Sequence, residues 1–185
     1  MTTIVGLDPS LTAAGIAILN DPATADTPNV PKLLSVGAGG SNGDTLAQRS
    51  IRVGKQFERV MRSMPRGVRL VVIEALPYTA PKHAGLFQER CALFHRIVEF
   101  LALRKIPVID VSVTTVKLFA TGNGRADKPE VMAAMRELWP HARIRDDNQS
   151  DALALATIGA QHLGWHEPEL PCHYAPKIDW TGVSR

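Results

Sequence analysis

Cysteine is scarce. Cys91 and Cys172 are the only two in 185 residues, which argues against a disulfide-stapled secreted fold and for a cytoplasmic setting. Long apolar runs are missing as well: stretches such as Ala152 to Ala156 fall far short of the ~20 residues that span a membrane. The opening Met1-Thr2-Thr3-Ile4-Val5 has neither the basic start nor the apolar length of a signal peptide. No His/Cys cluster has zinc spacing, since Cys172-His173 stands as an isolated pair. There is no internal repeat and no sign of a second domain.

What is present suits a single globular domain. Apolar residues make up 45% and charged residues 21%, proportions that support a core of its own at this length. The net charge of +3 permits an anionic partner without demanding one, so the arrangement of charge carries more information than its sum.

Residues 3–8 and 14–19 are β-rich runs joined by the polar turn Pro9-Ser10-Leu11-Thr12, which predicts an antiparallel hairpin with Gly15 opening its second strand. Leu33 to Val36 can add a third strand. Beyond the breakers Gly39-Gly40-Ser41-Asn42-Gly43, with Asp44 or Thr45 as N-cap, a helix is expected over 45–64, its apolar face made of Val53, Phe57, Val60, Met61 and Met64. A strand follows from Arg69 to Glu74, a helix over 83–104 and a strand from Pro107 to Val111. Shorter helices are expected near 114–120 and 128–138, and a last one from about 147 to 163 stopped by Gly164. Three antiparallel strands followed by strand–helix alternation describe an α/β fold, a mixed five-stranded sheet flanked by helices. The expected domain is 1–164, with 165–185 an extended or partly disordered tail.

Acidic residues stand at telling places. Asp8 ends the run Ile4-Val5-Gly6-Leu7, and Glu74 ends Leu70-Val71-Val72-Ile73. A carboxylate beside a core is costly unless a cation or a hydrogen-bond donor compensates it; the bland alternative for either residue is a strand-end acid in water or paired with Arg. Asp147 and Asp151 lie four apart, on one face at the start of the last helix. Capping accounts for Asp147 but not for Asp151, which precedes an Ala/Leu face that should be buried. Two strand-end acids and a helical acid pair are the hard oxygen ligands that Mg²⁺ needs.

These segments resemble the RuvC family of Holliday-junction resolvases, nucleases of the RNase H-like superfamily. Gly6-Leu7-Asp8-Pro9-Ser10-Leu11-Thr12 followed by Gly15 is similar to the family's first strand, with its Thr shifted. Val72-Ile73-Glu74 is similar to the second acidic strand, and Asp151-Ala152-Leu153-Ala154 to the last helix. Val116-Lys117 through Gly122-Asn123-Gly124-Arg125-Ala126-Asp127-Lys128 is similar to the family's lysine-bearing segment. The likeness runs in order to about residue 163. It implies an RNase H-like fold and a homodimer that makes symmetric paired nicks in four-way junctions, by two-metal phosphodiester hydrolysis with two Mg²⁺ per site and Mn²⁺ as a substitute. The implied ligands are Asp8, Glu74 and Asp151 with a fourth just before the last. The family register puts that fourth at Asn148; the same-face spacing favours Asp147, which is the assignment made here.

The resemblance gives Lys117 and Lys128 to DNA, and Arg125 adds a phosphate partner beside Gly122 and Gly124. Capping of a helix by Asp127 before Pro129 is compatible with that role. The family's base-stacking aromatic falls at Pro77, and the neighbouring Tyr78 is the expected substitute. Arg49, Arg52, Lys55, Arg59 and Arg62 form a basic face that more simply reads as solvated. The 83–104 helix is apolar over more than one face, so one face is expected in the dimer interface. Three rivals remain at this point: a nuclease on other branched or flap DNA or on RNA, a nucleotide-binding phosphotransferase of the actin-like type, and a DNA-binding protein without catalysis.

Overall fold

The computed structural model describes residues 2–24, 30–41, 43–77, 86–166 and 178–184. Three strands lead, β1 (Thr3–Asp8), β2 (Ala14–Asn20) and β3 (Lys32–Val36), with β2 antiparallel to both its neighbours. On the far side of β1 lie β4 (Val68–Glu74) and β5 (Val108–Val111), each parallel to the strand before it in the order β3-β2-β1-β4-β5. Parallel neighbours cannot be joined by a tight turn. The helix α2 (Phe87–Leu103) connects β4 to β5, and α1 (Leu46–Ser63) connects β3 to β4. Then come α3 (Val113–Thr121), α4 (Lys128–Leu138) and α5 (Asp147–His162). The mixed five-stranded sheet flanked by helices is the architecture expected from the sequence.

Side chains alternate across a strand, and the alternation builds two cores. Ile4, Leu70 and Val72 face one side, where α5 covers β1, β2 and β4 and is itself backed by α3 and α4. Val5, Leu7, Val71 and Ile73 face the other, under Val53 and Val60 of α1 and Leu93, Ile97 and Leu101 of α2. Each fully buried Leu or Ile stabilises the fold by roughly 1.5–3 kcal/mol.

Close approach sets the position of α5. A Cβ at Gly6 would lie 1.9 Å from the Ala152 carbonyl oxygen, and one at Gly15 would lie 1.9 Å from that of Asn148. Gly15 therefore does not open the second strand, as its sequence context suggests; Ala14 opens it, and Gly15 admits the first turn of α5. The cap of α1 is Thr45, in a reciprocal box with Gln48.

The other end of α5 is also tied down. Gly164 adopts a left-handed φ of 71° just past the helix. Of the expected tail, Ile178, Trp180 and Val183 pack against the α5-side core. The Trp180 ring stacks on His162 at 3.9 Å between centroids and 8° between planes. Among the described residues no helix is long and apolar enough to cross a membrane.

Candidate active site

Strand parity decides where the acids point. Asp8 follows Ile4 and Gly6 on the α5 face of β1, and Glu74 follows Leu70 and Val72 on the same face of β4. Leu7 pairs with Ile73, so Asp8 and Glu74 end adjacent parallel strands side by side. Facing them, α5 presents Asp151 directly before Ala152, the residue seated on Gly6. All three carboxylates line one cavity of about 390 Å³, together with Asn148, Lys117, Lys128, Arg52 and Arg90.

Their environment penalises charge. Burial, then the Asp151 charge, raises Asp8 from the usual carboxylate value to about 7, against the opposing pull of Arg90 and Lys128. Burial, then Asp8 and Asp151, raises Glu74 to about 8. Burial raises Asp151 to about 6, while Lys128 and Lys117 favour its charged form. Buried like charges of this kind are what a cation would relieve.

Among the described residues no three His, Cys, Asp or Glu side chains stand as a ready-made ion cage. The donor set nonetheless fits a hard divalent ion: three carboxylates share a cavity, and their mutual repulsion opposes convergence until a cation offsets it. Aspartate and glutamate oxygens of this kind suit Mg²⁺ or Mn²⁺ rather than a soft metal.

The first turn of α5 divides its acids among different tasks. Asp146, not Asp147, is the N-cap: its Oδ1 accepts from Gln149 N at 2.8 Å, and its Oδ2 accepts from Ser35 Oγ at 2.7 Å. Gln149 Nε2 also donates to Ser35 Oγ at 3.1 Å, so edge strand β3 fixes the turn that carries Asp151. Asp147 forms an ion pair with Lys128. That hydrogen bond holds Asp147 below its ordinary value and raises Lys128. Asp147 is absent from the cavity lining that includes Asn148, although its charge reaches Asp8 and Asp151.

The expected DNA contacts separate likewise. Lys117 and Lys128 reach the cavity. Arg125 is exposed on the loop between α3 and α4, outside it. That loop is shaped by Gly122 at a φ of 75° and by the Asp127–Glu130 capping box. Tyr78 lies outside the described residues, as does the stretch 83–85 of the expected second long helix.

On the α1 basic face, Arg49 pairs with the buried Glu89 at 3.2 Å and Arg62 pairs with Glu58 at 3.4 Å. Arg52, in contrast, lines the cavity while its guanidinium donates to the Ala38 carbonyl at 3.4 Å. Arg90 was not singled out by sequence, since Glu89-Arg90 in a helix looks like ordinary surface charge. The usable signal was its place in the first helical turn after the acidic strand β4.

The RuvC family model, "Crossover junction endodeoxyribonuclease RuvC", matches residues 4–159. A protein of that name from Prochlorococcus marinus is 27% identical over 158 residues, covering 84% of this chain and 96% of the relative. Another from a Synechococcus species is 29% identical over 156 residues, covering 82% and 94%. Among solved structures, Thermus thermophilus RuvC superposes with a TM-score of 0.64 at 21% identity, covering 89% of this chain and 98% of that one. The same protein in complex with a Holliday junction substrate gives 0.60 at 19% identity, covering 84% and 90%. At such identities the superpositions speak for the fold.

Proposed function

The chain belongs to the RuvC family of crossover junction endodeoxyribonucleases, metal-dependent enzymes, and from that premise we propose that its acidic cavity nicks four-way DNA junctions. One observation carries the assignment to this cavity: three carboxylates, the buried Asp8 and the half-buried Glu74 and Asp151, share it with Lys117 and Lys128. Acids without basic neighbours would repel DNA, and lysines without the acids would bind it without cutting.

Asp8, Glu74 and Asp151 are the assigned metal ligands, with Mg²⁺ as the ion, two per site, and Mn²⁺ as a substitute. Held by these carboxylates, divalent ions would help to activate the attacking water and to offset the charge developing on the phosphate. The protein's part is positional. β1 and β4 hold two carboxylates in fixed register, α5 holds the third against them, and the lysines receive the backbone. For the fourth place the cavity lining favours Asn148, whose amide oxygen is the neutral donor available there, while Asp147 holds Lys128. This differs from the spacing argument that points to Asp147.

Symmetric nicking calls for two sites, hence a homodimer. The outward face of α2 offers Ala92, Ala102 and the 76%-exposed Leu103 for it, while Leu93, Ile97 and Leu101 serve the chain's own core. Arg125 joins Lys117 and Lys128 in holding backbone phosphates, and Tyr78 is assigned to stack on a base near the crossover.

The test is incubation of the purified chain with a synthetic four-way junction, a flap and a linear duplex of the same sequence, with Mg²⁺ and with EDTA. Paired nicks at symmetric positions of the junction, absent in EDTA, are expected. Preferential cutting of the flap would transfer the assignment to another branched substrate.

A further inference from the structure

Arg90 lines the cavity that holds the strand-end acids, and among the described residues its charge is committed to no partner. It lies in the first turn of α2, where its backbone N–H donates to the Leu86 carbonyl at 3.0 Å. Its side chain is half-buried and lines the cavity with Asp8, Glu74, Lys117 and Lys128. The adjacent Glu89 cannot neutralise it, because that carboxylate is taken up by Arg49 of α1 at 3.2 Å. Among the described residues the Arg90 guanidinium makes no ion pair and no side-chain hydrogen bond.

The cations that bear on the acids differ in where they act most strongly. Lys128 and Lys117 act on Asp151. Arg90 acts on Asp8 and Glu74, more strongly than Lys128 does. A half-buried arginine whose guanidinium has no partner among the described residues, over a cavity that must receive an anionic backbone, is placed to bind that backbone. Its planar fork can give two parallel hydrogen bonds to one phosphate, which a lysine cannot.

Resting on the junction-nuclease reading, we propose that Arg90 grips a DNA phosphate at the reacting centre, in the cavity it shares with Asp8, Glu74 and the lysines. It lowers the cost of bringing a phosphate among three carboxylates, and its donors meet the charge that grows on the phosphoryl oxygens as the P–O bond breaks.

The experiment compares wild type, Arg90→Ala, Arg90→Lys and Arg66→Ala. Arg66 is exposed and precedes the start of β4, at the opposite end of that strand from Glu74. Junction affinity is measured in EDTA across a salt series, and nicking at saturating enzyme with Mg²⁺. Loss of one phosphate contact should make the slope of log affinity against log salt shallower by about 1 in Arg90→Ala. The saturated nicking rate should fall on the order of a hundredfold. Arg90→Lys should keep the slope and recover only part of the rate, and Arg66→Ala should match wild type in both.

An unchanged salt slope in Arg90→Ala overturns the proposal even if the rate falls, because the effect would then run through the carboxylates and not through phosphate. Should Arg90→Ala fold poorly by circular dichroism, Arg90→Gln, which keeps the aliphatic stem, gives the same two readings. Failure of wild type to bind and nick the junction would defeat the nuclease reading itself; a wild type that does both beside an Arg90→Ala indistinguishable from it defeats this inference alone.

Discussion

The two ends of α5 are built on opposite principles. At the first turn Asn148 and Asp151 face Asp8 and Glu74 in a cavity where burial and like charge raise all three carboxylates. At the last turn His162 stacks flat on Trp180, and its Nε2 donates to the Val183 carbonyl at 3.3 Å in the Nε2-protonated tautomer. Nearby, Trp139 donates to Thr157 Oγ1 at 3.0 Å. One end holds repulsion that a metal ion would relieve; the other gathers contacts that satisfy one another. Between them Ala152 to Ala160 are buried throughout, so the helix is a rigid strut and strain at the acidic end cannot be relaxed by sliding. The family match ends at residue 159, within this strut, and the aromatic end lies beyond it.

The largest effect expected at the acidic end is that of Asp8→Asn. Nicking should fall about a thousandfold, taking several kcal/mol for a metal ligand's share of transition-state stabilisation. Junction affinity should hold or rise, since the cavity repels phosphate less. Single-turnover nicking beside filter binding reads both, and a mutant cutting at near wild-type rate removes Asp8 from the site.

Next in size is the contrast within the first turn. If Asn148 faces the ion, Asn148→Ala should lose on the order of 10–100-fold in activity or metal affinity. Asp147→Asn should lose only a few-fold, through a less well-held Lys128. Rates across a Mg²⁺ series separate the two, because a lost ligand raises the metal requirement as well as lowering the rate. The reverse ranking would restore Asp147 as the fourth ligand.

A pH series asks whether the acidic end really carries unrelieved charge. Asp8, Glu74 and Asp151 are raised to about 7, 8 and 6 in the fold, well above ordinary carboxylate values near 4. A raised acid binds its proton more tightly folded than unfolded, so its stabilisation is complete below the unfolded value and is lost as pH rises through the folded one. Metal-free protein should therefore lose stability as pH rises from about 4 to 8. Thermal unfolding in EDTA reads the trend, and Asp8→Asn should flatten it.

The aromatic end predicts the smallest functional effect. Trp180→Ala should cost about 2 kcal/mol, since the ring is only half-buried and a fully buried one would cost more. That corresponds to a midpoint lower by roughly 5 °C for a chain of this size. Nicking at 25 °C should be unchanged.

How much of this was legible beforehand follows the same division. Strand alternation alone placed Asp8 and Glu74 at strand ends, and the helical spacing placed Asp151, because these depend on periodicity within one element. The tasks of Asp146, Asp147 and Asn148 were not legible. They turn on one hydroxyl of β3 and one lysine of α4, and no local pattern reports contacts so distant in sequence. Gly15 was misread for the same reason: the atom it makes room for belongs to α5. Arg90 was overlooked because a charged residue next to Glu89 is what an exposed helix face also looks like. The docking of Trp180 on His162 escaped as well, since a Pro- and aromatic-rich segment without periodicity says nothing about where it returns.

The central claim is that the acidic end is a cation site held under repulsion until it is filled. Its most direct test is the thermal midpoint of wild type and Asp8→Asn at pH 8 as Mg²⁺ is titrated from zero, without DNA. The account predicts that the wild-type midpoint climbs with Mg²⁺, as mass action requires of an ion bound only by the folded state, while Asp8→Asn starts higher and scarcely moves. Equal shifts in both proteins, or none in either, would contradict it.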